Sequence, residues 1–114
     1  MFSIKHKFNR KVGLRTHFVR ILAGQLIANG RMATTDIRAR EIRPIVEKLV
    51  TIAKRQRLQD LRLLLQRLPK IAATKLYYEV APKYAERKGG YLRITKGMGM
   101  RKRDGTREAV IEFV

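Results

Sequence analysis

The chain has 114 residues, 27 of them Lys or Arg against nine Asp or Glu, giving a net charge of +18 and a pI near 11.3. Its 45% hydrophobic residues suffice for one small core and exclude a disordered basic tail, while no apolar run approaches the roughly 20 residues of a membrane span. The absence of cysteine excludes disulfides, thiolate catalysis and sulfur-built zinc sites.

Residues 1–13 carry Lys5, Lys7, Arg10 and Lys11 among scattered apolar groups and are expected to form an extended basic arm. The first acidic residue of the chain is Asp36. An acid-free basic N-terminus before an amphipathic helix describes a cleaved transit peptide as well as a permanent arm for a polyanion. The apolar stripe that follows favours the arm, because a core this small can hardly lose it. Leu14, Phe18, Ile21, Leu22 and Leu26 recur at helical spacing, opposite Thr16, His17, Arg20 and Gly24. Gly24 on that polar arc signals close approach of a backbone, and Asn29-Gly30 supplies a stop.

"RMATT", residues 31–35, is too short for a helix and reads as a strand. Thr34 or Thr35 then caps a second helix, with Asp36 in its first turn. Ile42, Ile45, Val46, Leu49 and Ala53 form its inner stripe, with Arg40, Arg43, Glu47 and Lys54 outside. Pro44 either bends this helix or begins it. Leu58, Leu61, Leu65 and Leu68 are spaced as a core-facing stripe of a third helix, too short for a leucine zipper. Pro69 separates it from a fourth, over residues 71–80, with Ala73, Leu76 or Tyr77, and Val80 inward. Pro82 starts a further short turn, ended by Gly89-Gly90.

The period then changes to alternation. Residues 91–96 and 108–114 read as two strands of a hairpin, joined by a basic loop at 97–105 with an Asp104-Gly105 turn. The expected fold is therefore α+β. Four or so helices pack on a small, mostly antiparallel sheet with a C-terminal β-hairpin, and residues 14–114 form a single domain behind the arm.

Catalytic constellations are absent. His6 and His17 are the two imidazoles, and no His/carboxylate spacing offers a metal site. "KGGY" and "GMGM" lack the order and context of phosphate-binding glycine loops and read as turns. The expectation is no enzyme, no cofactor and no small-molecule substrate. Nucleic-acid binding survives, since Arg and Lys bind phosphate independently of sequence. Three separated elements present them: the arm, the polar side of the first two helices, and the loop with Arg101, Lys102 and Arg103. "LAGQLIANGRMATTDIRARE" imitates a helix-turn-helix, but its connection is too long. Charge spread over the whole chain fits structured RNA better than duplex DNA. A DNA-associated, nucleoid-like protein is the alternative.

Four ordered blocks carry a resemblance along nearly the whole chain: "FNRKVGLRTHFVRILAGQLI", "ATTDIRAREIRPIVEKLVTIAKR", "KLYYEVAPKYAERKGGYLRITK" and "AVIEFV". Together they resemble the bacterial-type large-subunit ribosomal protein seventeen family. The resemblance implies a non-catalytic structural protein that binds large-subunit ribosomal RNA near the nascent-peptide exit region, beside neighbouring ribosomal proteins. Carried over by position, it points to Lys5, His6, Lys7, Asn9, Arg10 and Lys11 in the arm, and to Arg15, His17 and Arg20 on the first helix. It points further to Arg38, Arg40 and Arg43, and to Arg87, Lys88, Tyr91 and Arg93. Lys96, at the edge of the basic loop, joins Arg101, Lys102 and Arg103 as an expected RNA contact. The opening "MFSIKHKF" departs from the compact Met-Arg-His-Arg-like start usual in the family, and "GMGMRKRDGTRE" matches only loosely. Mitochondrial members often carry long extensions. Their absence here favours a bacterial, cytoplasmic ribosome over the mitochondrial alternative.

Overall fold

The computed structural model describes residues 12–100 and 107–114, with side chains over 16–97 and 107–114. The described residues form four helices and a three-stranded antiparallel sheet in the strand order β1-β3-β2. Helix α1 spans Val12–Asn29 and stops at Gly30, whose φ of +81° is open to glycine and whose N–H returns to the Leu26 carbonyl at 2.8 Å. Strand β1 spans Arg31–Thr35. Thr35 caps α2, Asp36–Lys54, by accepting the Arg38 N–H at 3.3 Å on its hydroxyl. Helix α2 runs unbroken through Pro44, which lies on the exposed side four residues after the equally exposed Arg40. The carbonyl deprived of its donor therefore belongs to the solvent side of the helix.

Helix α3 spans Leu58–Arg67. The fourth helix occupies residues 70–83 in three pieces: α4 (Lys70–Lys75), one π turn (Leu76–Val80) and α5 (Ala81–Lys83). Within the π turn the Ala81 N–H bonds the Leu76 carbonyl, five residues back. The next residue, Pro82, has no N–H for the Tyr77 carbonyl, and Gln56 supplies the donor instead. Its side-chain amide reaches Tyr77 O at 2.8 Å and Ala53 O at 2.8 Å, from a backbone held at φ 56°.

Strands β2 (Leu92–Met100) and β3 (Arg107–Phe113) form the hairpin, and β1 adds to the other edge of β3 with Met32 opposite Ile111. Between Lys96 and Met100 the register shifts, and β2 carries extra residues relative to β3. A Cβ on Gly97 would lie 3.1 Å from the Glu108 carbonyl, a tight contact that glycine avoids where the strands approach. Residues 97–100, expected as loop, are strand, and Gly97 sits at the bulge rather than in a turn. The core unites Val19, Leu22, Leu26 and Ile27 of α1, the inner face of α2, Leu64, Leu68, Leu76, and Tyr91 and Ile111 from the sheet.

Two stripes differ from expectation. In α3, Leu64 and Leu68 are buried, whereas Leu58 is 61% and Leu65 38% exposed. In α1 the buried arc is Val19, Leu22, Ala23, Leu26 and Ile27, leaving Ile21 exposed. This turns Gly24 inward, and what approaches it is the Pro69 ring, 3.0 Å from where a Cβ would stand. The polar arc of α1 is in part an internal contact.

Candidate nucleic-acid interface

Helix α1 leads toward β1 and returns through it to the start of α2, so both helices begin at one end of the sheet. The Arg38 guanidinium lies 5.0 Å from the Phe18 ring centroid, joining the two helix starts by a cation–π contact. Thr35 pairs with Glu108, Lys96 with Ala109, and Met100 with Arg107, so the hairpin opens at the same end. His17, Arg40, Arg43, Lys96 and Arg107 are exposed around it. Arg40 pairs with Asp36, and Arg43 stands 3.9 Å from Glu47, both at helical (i, i+4) spacing. The Arg43–Glu47 pair is largely exposed and weak, leaving that guanidinium accessible to a stronger anion, whereas Asp36 is buried and holds Arg40 at the start of α2.

The opposite end is built around Lys54. Its ammonium donates to the Arg87 carbonyl and to the Tyr91 hydroxyl (2.9 Å), lying 5.1 Å from the centroid of that ring. Tyr91 is 1% exposed, and its hydroxyl also donates to Arg87 O at 3.1 Å. Tyr84 packs edge-on to Tyr91 with centroids 5.3 Å apart and donates to the Val114 carbonyl at 2.7 Å. Burial pushes its phenol above the ordinary value. These contacts fix the turn that leaves Arg87 and Lys88 outermost, with Gly90 at φ +66°. Arg93 donates twice to Glu112, at 2.7 and 3.2 Å. That hydrogen-bonded guanidinium holds the Glu112 carboxyl below its usual range, and Arg31 across the sheet adds to the effect.

The sequence-derived residues therefore fall into two groups. His17, Arg38, Arg40, Arg43 and Lys96 gather at the hairpin end, and Arg87, Lys88 and Arg93 at the other. Two of the expected residues also hold the fold together. Arg20 is half-buried and donates to Leu68 O at 3.1 Å, closing the C-terminus of α3. Tyr91 is a core residue that positions its loop and offers no ring to a partner. Lys5, His6, Lys7, Asn9, Arg10, Lys11, Arg101, Lys102 and Arg103 lie outside the described residues, as does the side chain of Arg15. The sequence reading missed Lys54 as an anchor, together with Lys75, whose ammonium closes α1 at Ala28 O (2.6 Å). No local spacing marks a lysine whose target is a carbonyl far along the chain. Among the described residues no cluster of three His, Asp or Glu could hold a metal, and no helix is long and apolar enough to cross a membrane.

A small α+β protein with so large a cation excess, using some of its cations to close its own helices and displaying several others at two ends of a sheet, is, by class, a polyanion-binding structural protein. The family model described as Ribosomal protein L17 matches residues 18–114, and the chain belongs to that family. It is 43% identical over 114 residues to the large ribosomal subunit protein bL17 of an Exiguobacterium species, covering 95% of this chain and 97% of that protein. The bL17 protein of a Sulfurihydrogenibium species is 46% identical over 108 residues, covering 94% and 89% of the two chains. That of Erythrobacter litoralis is 42% identical over 111 residues, covering 96% and 79%. Membership makes the chain a structural ribosomal protein and not an enzyme.

Proposed function

We propose that the chain is a structural constituent of the large ribosomal subunit that binds and stabilises ribosomal RNA near the nascent-peptide exit region, in the cytoplasm of a bacterium. The observation that carries this reading is the meeting of three basic segments, far apart in sequence, at one end of the sheet. The described part of α1 near His17, the first turns of α2, and the strand residues Lys96 and Arg107 that flank the basic loop in sequence lie at that end. Lys5, His6, Lys7, Asn9, Arg10, Lys11, Arg15, His17, Arg38, Arg40, Arg43, Lys96, Arg101, Lys102 and Arg103 form the principal contact set. Arg87, Lys88 and Arg93 form a second. Tyr91 and Arg20 support the reading indirectly, as positioning residues. Neighbouring large-subunit proteins are the remaining partners.

The test is binding of the purified chain to protein-free large-subunit RNA across a salt series. Phosphate contacts release counterions, so log affinity should fall linearly with log salt. Salt-insensitive binding, or duplex DNA displacing the RNA, would overturn the reading.

A further inference from the structure

The exposed face of the fourth helix carries a feature outside both contact sets. Lys70, Ile71, Thr74, Lys75, Tyr78 and Glu79 line an open groove of about 590 Å³. Ile71 is 79% and Tyr78 60% exposed, an unusual degree for two large apolar groups lining one groove, two helical turns apart on the same face. The π turn sets this display. It keeps Leu76, Val80 and Ala81 buried while Tyr78 faces outward, braced edge-on by Tyr77 with centroids 4.8 Å apart and planes at 83°. Pro82 and the Gln56 bond to Tyr77 O hold the turn in that register, and π turns of this kind recur at functional sites.

The chemistry around the ring is specific. Lys70 has no ion-pair partner among the described residues, and no pair is formed by Glu79 there. An aromatic face, an apolar neighbour, an unengaged ammonium and a carboxylate acceptor match the parts of one nucleotide. We propose that an unpaired base of the ribosomal RNA stacks on Tyr78 beside Ile71, with a phosphate at Lys70 and an exocyclic amine donating to Glu79. The carboxylate favours adenine, cytosine or guanine over uracil, which has no such amine. A protein partner would have to bury the Lys70 charge against an acid of its own, whereas RNA brings its phosphate with the base. The inference rests on the ribosomal-RNA reading above and adds a contact that reading does not name.

The experiment is ultraviolet cross-linking of the full chain to protein-free large-subunit RNA, followed by trypsin and mass spectrometry. Cleavage after Lys75 and Lys83 isolates residues 76–83 in one peptide. A nucleotide adduct other than uridine is expected on Tyr78. Tyr78→Ala should weaken RNA binding by roughly ten-fold, the scale of one lost base stack, while Tyr78→Phe retains it. Equal thermal unfolding of the two variants separates lost contact from lost fold. An unmodified peptide with undiminished Tyr78→Ala binding overturns the nucleotide site, provided that Arg38→Ala with Lys96→Ala weakens binding, in which case the RNA reading stands. A cross-link from Tyr78 to another protein in whole ribosomes overturns it as well. Failure of the parent chain to bind RNA at all removes both.

Discussion

Asp60 shows how a cationic chain employs its few acids. It is 3% exposed, in the first turn of α3, and takes a two-pronged contact from Arg57 (2.8 and 3.3 Å) with Arg55 at 3.8 Å. The Arg57 hydrogen bond holds its carboxyl below the ordinary range, with both arginine charges adding to it. A lowered folded pKa stabilises the fold above the unfolded value of about 3.9 and loses that contribution as pH falls through the folded one. Asp60→Asn should therefore unfold at lower urea than the parent at neutral pH, with the difference closing as pH falls below about 4. Urea midpoints across a pH series check this. Glu112 is shifted the same way, so the variant keeps part of the acid slope. Sequence spacing identified which residues are cationic but not where each charge is directed. Arg20 and Lys54 look alike as exposed-face cations of amphipathic helices. The structure turns both inward, to carbonyls at Leu68 and Arg87.

The limits of periodicity appear most clearly in α3. Leucines stand at 58, 61, 63, 64, 65 and 68, so two stripes fit the helical repeat equally well. In the fold the buried stripe runs through Asp60, Leu64 and Leu68, turning Leu58 and Leu65 outward. Leu64→Ala should cost about 2–5 kcal/mol as a buried truncation, and Leu65→Ala about 1 kcal/mol or less, as read by equilibrium denaturation. The reverse order would restore the stripe through Leu58 and Leu65. Elements with punctuation were more legible. Asn29-Gly30, the Thr35 cap and the last strand lie where their residues place them, to within a residue, while the first hairpin strand runs four residues further than its alternation. The π turn was not legible, since its cause is shared between Pro82 and Gln56, which meet only in the folded chain. Pro44 was undecidable for a similar reason, as exposure rather than identity lets the helix continue through it.

At the scale of the molecule, the charge is organised by the sheet. β3 has seven residues, a rod about 20 Å long, with one of the two proposed contact sets at each end. Sites that far apart with no shared partner should act additively. Arg38→Ala with Lys96→Ala, and Arg87→Ala with Lys88→Ala, should each weaken RNA binding, and their combination should give the sum of the two free-energy losses within about 0.5 kcal/mol. Each phosphate contact removed should also flatten the log–log salt dependence by roughly 0.7 to 0.9. A combination no weaker than either pair alone would mean that one end does not touch RNA. The α+β class, the hairpin and the RNA-binding character were legible from composition, alternation and ordered motifs. The division of the cations between two ends was not, because it follows from strand order.

That strand order also governs the timing of biosynthesis. The central strand is made after both of its neighbours, and β1 waits for a partner more than seventy positions downstream. Until β3 leaves the peptide tunnel, neither edge strand has anything to pair with, and only the helices can assemble. Lys96 and Arg107 come alongside the start of α2 when that last pairing closes. On the proposed reading an incomplete chain therefore cannot assemble the principal contact set, and incorporation into a ribosome becomes a readout of finished synthesis.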